Sequence, residues 1–322
     1  SEFELIASHF VGLTGQRGVA LGIGDDGALI NPSDNQQLVV ASDTLVEDVH
    51  FPAAATGRQV ATRALCVNLS DMAAMGAQPR WFTLALTLPE ERANSAWLAD
   101  FSAGIAEIAK QFDIALVGGD TTSGPLTVSI TMLGEVPPAE SLQRSGAAVG
   151  DSVFVTGYLG DGAAGLKSIS SINNSCINSD RLLQRFYAPQ PQIKTAIQLR
   201  GIASACIDIS DGLVADLGHI CQASAVAATV YTQQLPIAED VRKLSPNNCI
   251  DWALFGGDDY QLCFTVSADK IDKLEQLIDG GELNACKIGT IQIAADGGCP
   301  VTVLDSNNSP IALNKQGYDH FG

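Results

Sequence analysis

A chain of 322 residues has room for about two domains at roughly 150 residues each, and 46% hydrophobic against 17% charged residues excludes a disordered protein. With 36 acidic and 18 basic residues, the formal charge of −18 excludes nucleic acid and anionic membrane as natural partners, since both need a basic face. A phosphate-bearing ligand would have to be met through cations.

In chain order, residues 1–10 set Phe3, Leu5, Ile6 and Phe10 at near-helical spacing. Glu2 and Glu4 stand where a secretory leader would be basic, so no secretion is expected. Residues 19–30 form an apolar run broken by glycines around Asp25 and Asp26. A strand from Leu38 to Ala41 meets Ser42, Asp43 and Thr44 at its end. A helix follows over 58–76, stopped by Gly76 and Pro79. Next come a strand over 81–88, a helix over 94–112 capped by Asn94, a short apolar strand within 113–124 that ends in Gly-Gly-Asp, and a strand over 126–136. The small residues of Ser145–Asp151 mark a domain boundary, giving units of 1–144 and 151–322.

Beyond that boundary the spacing predicts a strand over 151–157, a helix after Gly160 and a surface loop over 169–176. Helices over 179–189 and 191–200 are separated by Pro189 and Pro191. A strand, turn and helix occupy 204–220, two strands follow in "AATVYT" and "YQLCFTV", and a helix covers 268–278. This alternation implies the α/β (α+β) class, with two α/β sandwich domains. Leu217–Ala238, the longest charge-free segment, carries Gly218, Gln222, Gln233, Gln234 and Pro236 and is too polar to span a membrane. The eight cysteines include no CxxC pair, and several lie in apolar runs. Free buried thiols in a reducing, cytoplasmic compartment are expected.

The chemistry is expected at the aspartates. Asn68, Ser70 and Asp71 interrupt the otherwise apolar helix, and a buried ionised Asp is costly unless a cation or several donors meet it. Apolar strands also lead into Asp26, Asp43, Asp120, and the pair Asp208 and Asp211. Any one of them alone could be a helix cap or an Asx turn. Grouped together they repel one another unless something divalent intervenes, so Asp71 is expected to be the hub of a metal cluster. Oxygen-only ligands favour Mg²⁺, Mn²⁺ or Ca²⁺ over Zn²⁺, and the calcium-loop spacing is absent. No P-loop is present: Gly160–Ser168 comes nearest, with Leu166 where the motif demands Lys. The glycines of "GIGDDG" are accompanied by acids, which suits a phosphate only with metal between them.

The segments "GIGDDGAL", "SDTLVEDVHF", "VNLSDMAAMGA", "VGGDTTSGPL", "IDISDGL", "GGDDYQLCF" and the terminal "GYDHF" together resemble the thiamine-monophosphate kinase family. That family belongs with the aminoimidazole-ribonucleotide-synthetase-like ATP-binding proteins. The motifs keep the family's order and span nearly the whole chain. The resemblance implies transfer of a phosphoryl group from ATP to thiamine monophosphate, with Mg²⁺, in a homodimer built from N-terminal ATP-binding domains. It implies Asp26, Ser42, Asp43, Asp71, Asp120, Asp208 and Asp211 as metal ligands, with Asp71 touching more than one ion. It implies Gly119, Asp120, Arg144 and Ser210 as ATP contacts, and His50, Asp258 and Tyr318 as the thiamine site. Asp71, Asp120, Asp211 and Arg144 form the implied catalytic set. Two positions depart from the family: Asp258 stands where Glu is common, and Ala41 where Ser or Thr often occurs. Because the acceptor is already an anionic phosphate, direct transfer without a phospho-enzyme is expected. The rival readings are a sibling synthetase of the same superfamily and a non-catalytic acidic cation-binding protein. A selenophosphate synthetase would need a reactive residue near its start, and the first cysteine here is Cys66.

Overall fold

The computed structural model describes residues 8–13, 18–93, 95–170, 179–295, 300–313 and 317. The readings made on Phe3, Leu5, Ile6, Asn94, residues 171–176, Cys176, Cys299 and Tyr318 lie outside them. The chain divides into two units, one of Ser1–Met72 and Ala77–Ala139, the other of Ala73–Gly76 and Glu140–Gly322.

In the first unit, short strands β1 (Val19–Leu21) and β2 (Leu29–Ile30) pair antiparallel. Strands β3 (Gln37–Val46), β4 (Gln78–Leu88), β5 (Ala115–Ser123) and β6 (Thr127–Val136) form one sheet in the order β3-β6-β4-β5. Helix α1 (Gly57–Ala74) precedes β4, and α2 (Ser95–Phe112) makes the crossover that the parallel β4–β5 pair requires. The two helices approach closely because glycines face backbone. A Cβ on Gly57 would lie 2.7 Å from the Trp97 carbonyl oxygen, and one on Gly104 would lie 2.9 Å from that of Arg58. Leu65, Leu69, Met72, Leu98, Phe101 and Ile105 are fully buried.

The sheet is two-faced, as period-2 alternation requires. Leu84, Leu86 and Leu88 are buried on one face of β4, while Thr83, Ala85 and Thr87 lie on the other. Part of that second face is covered by the first hairpin, where Val19, Ala28 and Ile30 pack on Trp81, Ala115 and Val117. Toward β3 the same face stays open, with Leu38 44% and Val40 61% exposed.

The second unit is built on a six-stranded sheet in the order β12-β9-β11-β7-β10-β8. Its strands are β7 (Ser152–Thr156), β8 (Ala203–Asp208), β9 (Ala227–Tyr231), β10 (Leu262–Val266), β11 (Ala285–Gln292) and β12 (Val301–Leu304). Within this sheet, among the described residues, only the β9–β12 pair is parallel. Every residue of β7 and β10 is buried, in keeping with the apolar stretches Val153–Val155 and Leu262–Phe264 within them. The helices are α3 (Asp161–Ser170), α4 (Ser179–Tyr187), α5 (Ile193–Leu199), α6 (Leu213–Ser224), α7 (Glu239–Leu244), α8 (Cys249–Phe255) and α9 (Ile271–Asp279).

The α/β class expected from the sequence is what both units display. Two strand readings need correction. Asp43 and Asp120 do not close their strands: β3 runs on to Val46 and β5 to Ser123, because Ser and Thr suit a sheet with one open face. Strands β11 and β12 and helices α7 and α8 were not legible in the pattern. Leu217–Ala238 folds into the rest of α6, β9 and a 3₁₀ turn, and among the described residues no helix is long and apolar enough to cross a membrane.

Candidate functional site

Helix α1 carries an uninterrupted buried stretch from Ala64 to Ser70, so its polar members must find partners inside. Asn68, with no exposed surface, donates from Nδ2 to the Ala64 carbonyl at 2.9 Å and accepts the Asp43 backbone N–H on Oδ1 at 3.1 Å. One side chain thereby ties helix to strand at the acid. Asp71, three residues on, is half-buried, as is Asp43. Ser42 faces away from Asp43, its Oγ donating to the Ile130 carbonyl at 3.1 Å and lying 3.0 Å from Thr131 Oγ1.

The other acids of this unit converge elsewhere. A cavity of about 600 Å³ is lined by Asp25, Asp26, Gly119 and Asp120, with Phe10, Leu84 and Thr121 among its walls. Asp26 donates its backbone N–H to Asp25 Oδ1 at 2.9 Å, which folds the acidic turn back on itself. Gly119 is required by the approach of β4, since a Cβ there would lie 1.8 Å from the Leu84 carbonyl oxygen. The register aligns Thr44, Ser129, Ala85 and Asp120 in one row across the sheet. Three strand spacings of about 4.8 Å put Asp43 and Asp120 about 14 Å apart, and on opposite faces. Among the described residues no three His, Cys, Asp or Glu side chains stand close enough to hold an ion unaided.

His50 lies in the turn after β3. Its Nδ1 accepts the Val46 N–H at 3.0 Å, which leaves the neutral ring's proton on Nε2. Its carbonyl accepts from Arg63 Nε at 2.9 Å, and Arg63 is 2% exposed.

In the second unit the backbone draws Asp208, Ser210, Asp211 and Asp258 together. Asp208 closes β8, opposite Leu262 of β10. Beyond them, the Asp258 N–H donates to the Ser210 carbonyl and the Tyr260 N–H to that of Ile209, both at 2.8 Å. Gly317 packs here too: a Cβ on it would lie 2.9 Å from the Asp211 carbonyl oxygen. Tyr318 follows directly, outside the described residues. Arg144 is exposed, and its side chain makes no hydrogen bond or ion pair with another described residue, while its carbonyl accepts from Ser224 Oγ at 3.3 Å.

Sequence reasoning missed two acids that organise this region. Asp216, 2% exposed, accepts the N–H groups of Ser210, Asp211 and Gly212 on one oxygen at 3.0, 3.1 and 3.2 Å. Burial pushes its carboxyl up to about 8, helped by the charges of Asp208 and Asp211 and opposed by the N–H donors. Asp259, 6% exposed, accepts from Gly160 at 2.7 Å and Gly162 at 3.0 Å, and burial raises it likewise to about 8. Asp216 lies within a helical run and Asp259 beside Asp258, where the eye reads a cap and a doublet. The same bonds show why the Gly160–Ser168 run is no phosphate loop, since two of its N–H groups already face a carboxylate. Cys66, Cys206, Cys221, Cys249 and Cys263 are buried free thiols and Cys286 is exposed. Burial pushes the Cys66 thiol up to about 12, away from reactivity.

Residues 24–136 match the model of the AIR synthase related protein N-terminal domain, and residues 148–298 that of the corresponding C-terminal domain. The chain is similar to the thiamine-monophosphate kinase of Escherichia coli strain K12, with 41% identity over 99% of this chain and 98% of that protein. Among solved structures it is similar to thiamine-monophosphate kinase from Stenotrophomonas maltophilia K279a, at 44% identity and a TM-score of 0.81, over 89% of this chain and 92% of the other. It is also similar to AaThiL complexed with AMPPCP and TMP, at 30% identity and a TM-score of 0.79, over 99% and 97%.

Proposed function

The chain belongs to the AIR synthase related family and, within it, to the thiamine-monophosphate kinases, and on that premise we propose that the acid-lined cavity of its first unit holds ATP and its cations. As a kinase with a phosphate acceptor, it moves the γ-phosphate of ATP onto thiamine monophosphate, giving thiamine diphosphate and ADP. The observation that carries the site is the meeting of Asp25 and Asp26 with Gly119 and Asp120 around one cavity. Residues 1–144 then serve as the ATP-binding and dimerisation domain, and residues 151–322 complete the nucleotide and substrate sites.

The donors offered by Asp26, Ser42, Asp43, Asp71, Asp120, Asp208 and Asp211 are all oxygens, the set that Mg²⁺ takes. Mg²⁺ completes its shell with water and substrate phosphate, so one or two carboxylates per ion are enough and no closed cage is needed. Bound there, it would screen the repulsion between donor and acceptor phosphates. Gly119 leaves the strand backbone open to the nucleotide, and Ser210 is a further nucleotide contact. Arg144, a cation without a competing partner among the described residues, answers charge on the transferring group. Asp71, Asp120, Asp211 and Arg144 make up the catalytic set. His50, Asp258 and Tyr318 bind thiamine monophosphate. No residue needs to abstract a proton, because the attacking oxygen belongs to an anion.

The open sheet face around Leu38 and Val40 supports a homodimer formed through the first unit. Buried free thiols support a reducing, cytoplasmic setting. The test is incubation of the protein with γ-labelled ATP, thiamine monophosphate and Mg²⁺. Label is expected in thiamine diphosphate, lost with chelator and with Asp120→Asn. Label retained on the protein with ATP alone would overturn direct transfer, and full activity of Asp120→Asn would overturn the site.

A further inference from the structure

The turn that carries Asp258 is held in an uncommon backbone shape. Gly257, Asp258 and Tyr260 have φ of 65°, 60° and 48°, a region that residues with side chains avoid unless their surroundings impose it. On one side the imposition comes from the Asp258 and Tyr260 N–H bonds to Ser210 and Ile209. On the other side it comes from Asp259, whose Oδ2 accepts the Gly160 N–H and whose Oδ1 accepts that of Gly162. The fit is tight, since a Cβ on Gly162 would lie 2.4 Å from the Asp258 carbonyl oxygen.

The anchor is itself fixed. Asp161, between the two glycines and 4% exposed, is gripped through both oxygens by Arg181 at 2.7 and 2.8 Å. The same guanidinium holds Asp240 of α7. A carboxyl group, ionised or protonated, presents a lone pair on each oxygen to the two N–H groups. An amide would turn an NH₂ toward one of the glycine N–H groups.

We propose that Asp259 is the positioning residue of the acceptor side of the site, fixing where Asp258 can meet thiamine monophosphate without touching the substrate itself. This rests on the reading that Asp258 binds that substrate. Loss of the latch frees the turn, so Asp258 reaches its ligand in only part of the population.

The experiment is steady-state kinetics of Asp259→Asn, Asp258→Asn and the double variant, with each substrate varied in turn. Asp259→Asn is expected to raise KM for thiamine monophosphate roughly tenfold with KM for ATP changed less than about twofold. The double variant is expected to be no worse than Asp258→Asn alone, since a positioning residue has nothing left to position. Gly162→Ala, which presses on the Asp258 backbone without altering charge, gives the same selective rise and serves if Asp259→Asn does not fold. Additive effects in the double variant, or equal rises in both KM values, would overturn the positioning role. An Asp258→Asn enzyme with unchanged KM for thiamine monophosphate would instead overturn the underlying reading of Asp258.

Discussion

The Asp43 backbone N–H donates to the Oδ1 of Asn68 at 3.1 Å, so a fully buried amide on α1 sets the height of an acid on β3. Asn68→Ala leaves that N–H without its partner and opens a small void. A loss of about 1–3 kcal/mol is expected, read as a lower urea midpoint at unchanged slope. Turnover should fall with it, because Asp43 is no longer held. A variant of unaltered stability would show that the bond contributes nothing.

Gly119 and Gly118 are adjacent but predict opposite outcomes. A Cβ at 119 would collide with the Leu84 carbonyl at 1.8 Å, whereas at 118 the nearest atom is a Thr83 methyl at 4.0 Å. Gly119→Ala must part β4 from β5 at the cavity wall, costing about 1–3 kcal/mol and weakening ATP binding in calorimetry. Gly118→Ala should change stability by less than about 1 kcal/mol. Equal behaviour of the two variants would refute the steric account.

Asp259 gives stability a pH dependence with a definite sign. Its folded value of about 8 lies above an unfolded carboxyl value of about 4, so the folded state holds the proton more tightly. The contribution is complete below pH 4 and is lost as pH rises through 8. Glu135 and Asp240, held below their ordinary values, act only at the acid end, below that window. The melting temperature of the wild type minus that of Asp259→Asn should therefore shrink between pH 5.5 and 8.5. A difference that stays constant would mean Asp259 does not titrate there.

Val40, 61% exposed on the open sheet face, is the position to test association. Val40→Asp should shift the protein from dimer toward monomer in sedimentation, while its circular dichroism stays native. Unchanged sedimentation would remove this face from consideration.

What the sequence made legible was whatever obeys local rules. The buried stripe of α1, the strand alternation of β4 and β6 and the glycine stops all follow from period and sterics. Asp26 and Asp120 were singled out by their glycines, and they do line one cavity. Asp43 and Asp120 were misread as strand ends because Ser and Thr look like loop residues until a sheet with an uncovered face is known. Ser42 and Asp43 are neighbours in the chain, yet their side chains lie on opposite faces of β3. Asp216 and Asp259 were invisible for a different reason: their partners are main-chain N–H groups at the start of α6 and, for Asp259, at the start of α3, 99 and 97 residues away, which carry no side-chain signature.

The three amides that meet Asp216 have a wider consequence. Converging N–H groups at the start of a helix are where many nucleotide enzymes seat a phosphate, and here that seat is already taken by an internal carboxyl group. The polypeptide cannot offer its own main-chain dipoles to the nucleotide at this turn. Under the proposed reading, grip on the triphosphate would pass to mobile ions drawn from solution, and their supply, more than any preformed cradle, would set how tightly the nucleotide is held.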